Sequence, residues 1–279
     1  MATDLRIRPA ERGDVAACAA VEWAAFGAAS SLEESGRLIA RLVAHPGVYG
    51  VVAERGGALV GLNFLYEHDP IRAVGPLAVA PAAQGRGVGR RLMEAVLARA
   101  AGAAGVRLTA AADPAAFALY ASLGFEVKEP LAILRGRVRS APPADPAVRP
   151  MREEDLPAAA ALCARVHGFA RTADLREALT TAGEPMVLER TGRLVAYASH
   201  RRLGDRAHGV AEAEADLRAL LLGLRPPHGA ELTLFLPTRQ AALLRWCLAE
   251  GLRVGTPLTL MARGAYRPPQ GVYFPSSWY

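Results

Sequence analysis

Apolar positions along this chain follow two different rhythms. Met93, Val96, Leu97 and Ala100 recur at i, i+3, i+4, i+7, which predicts a helix from about Gly89 to Ala101. VVAERGGALVGL, from Val51, instead sets a glycine turn between two apolar runs and predicts a β-hairpin. Read this way, the first half runs strand, two helices, hairpin, then a strand near Gly75 to Val79. A glycine-rich turn, the helix just named, a strand near Val106 to Ala110, a helix near Ala115 to Leu123 and a last strand follow. Mixed α/β is the class.

The same pattern then returns. LRIRPAERGDVAACAAV, from Leu5, resembles VRPMREEDLPAAAAL, from Val148, with Arg8, Pro9 and Asp14 falling on Arg149, Pro150 and Asp155. Each predicts a short strand, a turn and an Ala-rich helix with the Asp near its start. The hairpin matches VLERTGRLVAY, with Glu54 on Glu189 and Leu59 on Leu194. SLGFEVKEPLAIL matches AEGLRVGTPLTLM, with Gly124, Val127 and Pro130 on Gly251, Val254 and Pro257. The offset falls from 135 at the hairpin to 127 at the last block, so the second copy is eight residues shorter there. In the first copy that interval holds QGRGVG; in the second it reads HGVAEAEADLRALLLGL, without the glycine cluster. Two tandem domains follow, residues 1–139 and 148–279, joined by the Pro-rich SAPPADPAV.

Composition narrows the function classes. The chain has 279 residues, 52% of them hydrophobic, enough for a packed core. No apolar run approaches the roughly 20 residues of a membrane span, and the charged start MATDLRIRPAERGD is unlike a signal peptide. The expectation is a cytoplasmic protein off the membrane. The net charge of +6 rests on scattered arginines, with Lys128 the one lysine, which favours anionic ligands over a nucleic-acid track. Cys18, Cys163 and Cys247 sit in apolar helical patterns and read as small buried thiols, and no histidine pair has metal spacing. No metal is expected.

The glycine turn carries the chemistry. A nucleotide P-loop is excluded because no Lys-Ser or Lys-Thr occurs, and the G-x-G-x-x-G spacing fails from both Gly85 and Gly87. What remains is Gln84-x-x-Gly87-x-Gly89 between a strand and a helix. Bare amides from Gln84 through Gly85, Arg86, Gly87, Val88, Gly89 and Arg90 can converge there on a pyrophosphate, helped by the helix dipole. Arg86, Arg90 and Arg91 add charge.

This stretch resembles motif A of the GCN5-related N-acetyltransferases, Gln/Arg-x-x-Gly-x-Gly/Ala, and Leu77-Ala78-Val79-Ala80-Pro81 resembles the strand end before it. AADPAAFALYASLGFEV resembles the later N-x-x-A-x-x-L/F-Y-x-x-x-G-F segment, with Ala116, Leu119, Tyr120, Gly124 and Phe125 in register and Asp113 where Asn is usual. The resemblance covers about residues 5 to 136. The second half resembles the degenerate copy of tandem members.

The resemblance implies direct transfer of acetyl from acetyl-CoA to a primary amine of a small molecule or peptide. It implies that Leu77, Ala78 and Val79 pair with pantetheine, that the Val79 amide faces the developing oxyanion, and that Tyr120 protonates the departing thiolate. Taken alone, Tyr120 reads as a core position; the motif around it gives it the catalytic role. For the base, Glu22, Glu33, Glu34, Glu67, His68 and Asp69 stay open as candidates. In the second half Cys247 falls where Tyr120 does. The aromatic end GVYFPSSWY is expected to dock. A non-catalytic acyl-CoA-binding or regulatory module is the alternative to an enzyme, and a homodimer remains compatible with the sequence.

Overall fold

The computed structural model describes residues 5–27, 31–67, 69–143, 148–224 and 231–278; His68 and residues 144–147 of the linker lie outside them. By compactness the chain forms two units, 1–106 and 107–279.

The first unit holds β1 (Leu5–Pro9), α1 (Val15–Phe26), α2 (Leu32–Ala44), β2 (Val48–Arg55), β3 (Ala58–Tyr66), β4 (Ile71–Val74), β5 (Ala78–Val79) and α3 (Val88–Arg99). Its antiparallel strands lie in the order β1-β2-β3-β4, and β5 pairs further along β3. Met93, Val96 and Ala100 are buried and Leu97 is half-buried, so the predicted stripe lies on the side of α3 packed against β3. Of the strand expected near Gly75 to Val79 only Ala78 and Val79 form one, and β4 precedes it at Ile71–Val74. Gly75-Pro76-Leu77 lies between the two, where Pro76 brings no N–H to the ladder.

The second unit holds β6 (Gly105–Ala111, beginning at the boundary), α4 (Pro114–Ser122), β7 (Glu126–Gly136), β8 (Val148–Pro150), α5 (Leu156–His167) and α6 (Thr172–Thr180). It continues through β9 (Met186–Arg190), β10 (Arg193–Ala198), β11 (Gly209–Ala211), α7 (Glu214–Gly223), β12 (Leu232–Pro237), α8 (Ala241–Ala249), β13 (Arg253–Gly264) and β14 (Val272–Phe274). Strands run β6-β13-β7-β12 in one sheet and β14-β11-β10-β9-β8 in another.

The repeat is visible element by element. Helices α1 and α5 have 12 residues each, and α4 and α8 have 9 each. The last strands are exchanged: β13 lies between β6 and β7, and β7 between β13 and β12. Each half thus completes its sheet beside a strand of the other. We propose 1–139 and 148–279 as the duplicated sequences, while compactness divides the chain inside β6.

Side chains repeat too. Arg8 donates Nη1 and Nη2 to the two Asp14 oxygens at 2.7 and 2.8 Å, and Nη2 to Glu54 at 2.6 Å. Arg149 donates to Asp155 at the same 2.7 and 2.8 Å and also to Glu189. In both copies the Asp accepts a backbone N–H as well, from Glu11 and from Arg152, each at 2.8 Å. The conserved Asp therefore serves the strand–helix junction, with its arginine, instead of capping its own helix. The arginine hydrogen bonds hold both carboxyls below the usual Asp range. A depressed carboxyl contributes stability above its unfolded pKa of about 3.9 and loses it as pH falls through the folded value. Arg149→Ala is accordingly expected to lower Tm by several degrees at pH 7, with the gap to the parent closing below about pH 3 in a pH series of thermal melts.

Candidate functional site

The β5-to-α3 junction is built from alternation and one backbone conformation. Gly61 and Leu62 of β3 face Val79 and Ala78, and the Ala80 N–H donates to the Val60 carbonyl at 2.9 Å. Amides alternate sides along a strand, so those of Leu77 and Val79 point away from β3. The Gln84 side chain reaches back, Nε2 donating to the Val79 carbonyl at 3.1 Å, and its own amide closes a tight turn on Pro81 at 3.3 Å. Gln84 thus fixes the loop against the strand end, and the amides that project are those beyond it.

Gly87 is the N-cap of α3 with φ 78° and ψ 1°, and no side chain caps the helix. That left-handed conformation is open to glycine at little cost. A Cβ on Gly85 or Gly87 would meet nothing within 4 Å, so the concavity is clear. The first helical bond, Arg91 N–H to Gly87 O at 3.1 Å, leaves first-turn amides such as Val88 and Gly89 without acceptors inside the helix. Arg86, Arg90 and Arg91 are exposed around them, Arg90 being 4.0 Å from Glu94. Such a strand–turn–helix suits a diphosphate.

Residues 46–127, which span this junction, match the model of the acetyltransferase (GNAT) domain. That segment belongs to the GCN5-related N-acetyltransferase (GNAT) superfamily. Among solved structures it resembles a protein assigned as an acetyltransferase from Pyrococcus horikoshii, with 16% identity, TM-score 0.75, and 96% of this chain and 94% of that one covered. A GCN5-related N-acetyltransferase from Sphaerobacter thermophilus aligns at 15% identity and TM-score 0.63, over 95% and 96% of the two chains. One from Kribbella flavida aligns at 19% and 0.58, over 93% and 71%. At these identities the likeness establishes the fold. No curated protein sequence matches the chain.

Tyr120, in the second unit, sits half-buried on α4, edge-on to Phe125 with ring centroids 6.2 Å apart. Burial, with a smaller push from the Asp113 carboxylate, raises its phenol to about 12. Asp113, at the GNAT Asn position, caps α4 by accepting the Ala116 N–H at 2.6 Å.

The described base candidates are mostly occupied. Glu22 is buried and accepts from Ser35; Glu33 pairs with Arg37; Glu34 accepts the Ser31 N–H at 2.8 Å in a capping box. Glu67 lies 3.1 Å from Arg99 and 3.8 Å from Arg72. Each does structural work that its sequence neighbourhood did not show.

In the second half the corresponding helix, α7, begins with acids. Glu214 and Asp216 lie in its first turn, and Glu212 precedes it. Asp216 accepts from Arg190 at 2.7 Å, and Glu212 from Arg165 and Arg193 at 2.8 and 2.6 Å. These paired acids lie at the start of α7, where α3 has glycines and exposed arginines. Cys247 is buried, its thiol pushed up to about 12 by that burial; Cys18 and Cys163 are buried too, and none of the three is in a disulfide.

Sequence reasoning missed a buried polar group in the second unit. Arg107 is 1% exposed, its guanidinium between the rings of Phe169 and Tyr266 at 4.8 and 5.1 Å. Nearby Glu129 accepts from Tyr273 Oη at 2.7 Å, Arg239 at 2.9 Å and Tyr266 Oη at 3.0 Å. In VRLTA, Arg107 alternates with apolar neighbours and reads as solvent-facing, so local pattern holds no signal for it. Among the described residues no cluster of His, Cys, Asp or Glu could hold a metal, and no helix is long and apolar enough to cross a membrane.

Proposed function

We propose that the protein is an N-acetyltransferase that moves acetyl directly from acetyl-CoA to a primary amine of a small molecule or peptide. The observation that carries this reading is the turn at Gly85 to Gly89, where no side chain caps the helix and a Cβ on Gly85 or Gly87 would meet nothing within 4 Å. Bound there, acetyl-CoA supplies the activated acyl group. Residues Gly85 to Arg90 hold its diphosphate by backbone amides, with Gln84 fixing the turn. The outward amides of Leu77 and Val79 pair with pantetheine, the latter also donating to the acyl oxygen as charge builds on it. Ala78 turns its amide to β3 and keeps this edge in register. Tyr120 keeps its proton through the working pH range and delivers it to the leaving sulfur. The second half, with acids at α7 and Cys247 in place of the phenol, is a degenerate copy.

A non-catalytic acyl-CoA-binding module is favoured by one observation, the engagement of Glu22, Glu33, Glu34 and Glu67 in structural contacts. Incubation with acetyl-CoA and a panel of small and peptide amines, following thiol release, separates the two. Amine-dependent CoA release is expected; acetyl-CoA binding with no release for any amine would establish the module instead.

A further inference from the structure

Strand β5 pairs with β3 alone among the described residues. Its second edge, with the Leu77 and Val79 amides, is the edge given above to pantetheine. In the second half the same edge carries a strand. The correspondence holds residue by residue. Gly61 and Leu62 face Val79 and Ala78; their repeat partners Ala196 and Tyr197 face Ala211 and Val210. Glu212 N–H donates to Val195 O at 3.1 Å, as Ala80 N–H does to Val60 O at 2.9 Å. Ala211 therefore stands where Val79 stands, and Gly209 where Leu77 stands. Opposite them lie Val272 and Phe274 of β14.

The contact is built for this occupant. Tyr273 turns its peptide groups away from β11. There the Gln240 side chain brackets it, accepting the Tyr273 N–H at 3.0 Å and donating to its carbonyl at 2.6 Å. Gln240 is the repeat partner of Asp113, at the GNAT Asn position. A Cβ on Gly209 would lie 2.3 Å from the Phe274 ring and 2.9 Å from the Tyr197 carbonyl, so glycine is what lets the Phe274 ring pack directly on this backbone. Tyr273 and Phe274 are fully buried, and Tyr273 Oη is anchored on Glu129.

We propose that residues 272–274 are the resident ligand of the second half: a peptide strand fills the edge that holds pantetheine in the first. The second half is then a groove for an extended chain, occupied by the protein's own C-terminal segment, and each chain takes one acetyl-CoA. The comparison rests on the acetyltransferase reading of the first edge.

The test is NMR-detected amide exchange on the full chain, with and without acetyl-CoA, together with binding stoichiometry by calorimetry. Without ligand, the Gly209 and Ala211 amides are expected to exchange about 100-fold more slowly than those of Leu77 and Val79. Of these four amides, saturating acetyl-CoA protects those of Leu77 and Val79 and leaves Gly209 and Ala211 unchanged, at one molecule per chain. Gln240→Ala should speed exchange at Tyr273 about tenfold without altering acetyl-CoA affinity, and Gly209→Ala should act in the same direction. Fast exchange at Gly209 and Ala211 in the full chain, two acetyl-CoA per chain, or loss of protection at 272–274 on adding acetyl-CoA would each overturn the proposal. Slow exchange at Gly209 and Ala211 with no acetyl-CoA bound anywhere would support the strand groove and reject the acetyltransferase reading.

Discussion

Gly87→Val should weaken acetyl-CoA binding by about 100-fold or more, measured by calorimetry on protein that still melts cooperatively. Two costs act together. Gly87 has φ 78°, a conformation that costs a non-glycine residue about 1–3 kcal/mol and a β-branched one the upper part of that range. The helix start must either carry that strain or rebuild, and rebuilding re-aims the Val88 and Gly89 amides. The added side chain also projects into the space left clear beside the turn, where nothing lies within 4 Å. Because that space is open, the folded chain has room for valine, and the loss should fall on binding far more than on stability. Gly87→Ala keeps the backbone strain with less bulk and should fall between the two. Unchanged affinity in the valine variant would remove this turn from the coenzyme site.

Tyr120→Phe comes second, with kcat expected to fall at least about tenfold while acetyl-CoA affinity stays within a factor of about two. Phenylalanine keeps the edge-on packing against Phe125 and removes only the hydroxyl. The phenol's position near 12 sets both the pH behaviour and the size of the effect. It stays protonated up to about pH 11, so its own ionisation should not cut kcat anywhere below that. It is also a weaker acid than ordinary tyrosine. That places the expected loss near the lower end of the 10²–10⁴ range typical of general acids, or just below it. A phenylalanine variant with full kcat would take Tyr120 out of the reaction.

Much of the fold was legible without coordinates because its signals are local. The Met93, Val96, Leu97, Ala100 stripe follows from helical geometry alone; three of the four residues are buried and Leu97 is half-buried. The Gly-containing turns of both hairpins, the duplicated Arg and Asp at the strand–helix junctions, and the glycine loop all lie within short windows. The strand read from Gly75 to Val79 was misplaced: strands form at Ile71–Val74 and Ala78–Val79, and Pro76, which brings no ladder donor, lies in the gap between them. The aromatic end was expected to dock from its composition, and it does, as a paired strand.

The sequence by itself placed the helices and most strands of the first half, showed a recurring pattern of residues in the second, and set a run of glycines at the start of α3. Those features depend on backbone sterics and on side-chain spacing within a dozen residues. Tertiary structure alone decided which strands became neighbours. The exchange of β7 and β13, the covering of Arg107 by Phe169 and Tyr266, and the seating of β14 on β11 all join residues far apart in the chain. Strand partners are selected by which edges and faces meet once the whole chain is packed, and a strand's own residues fit many edges equally well.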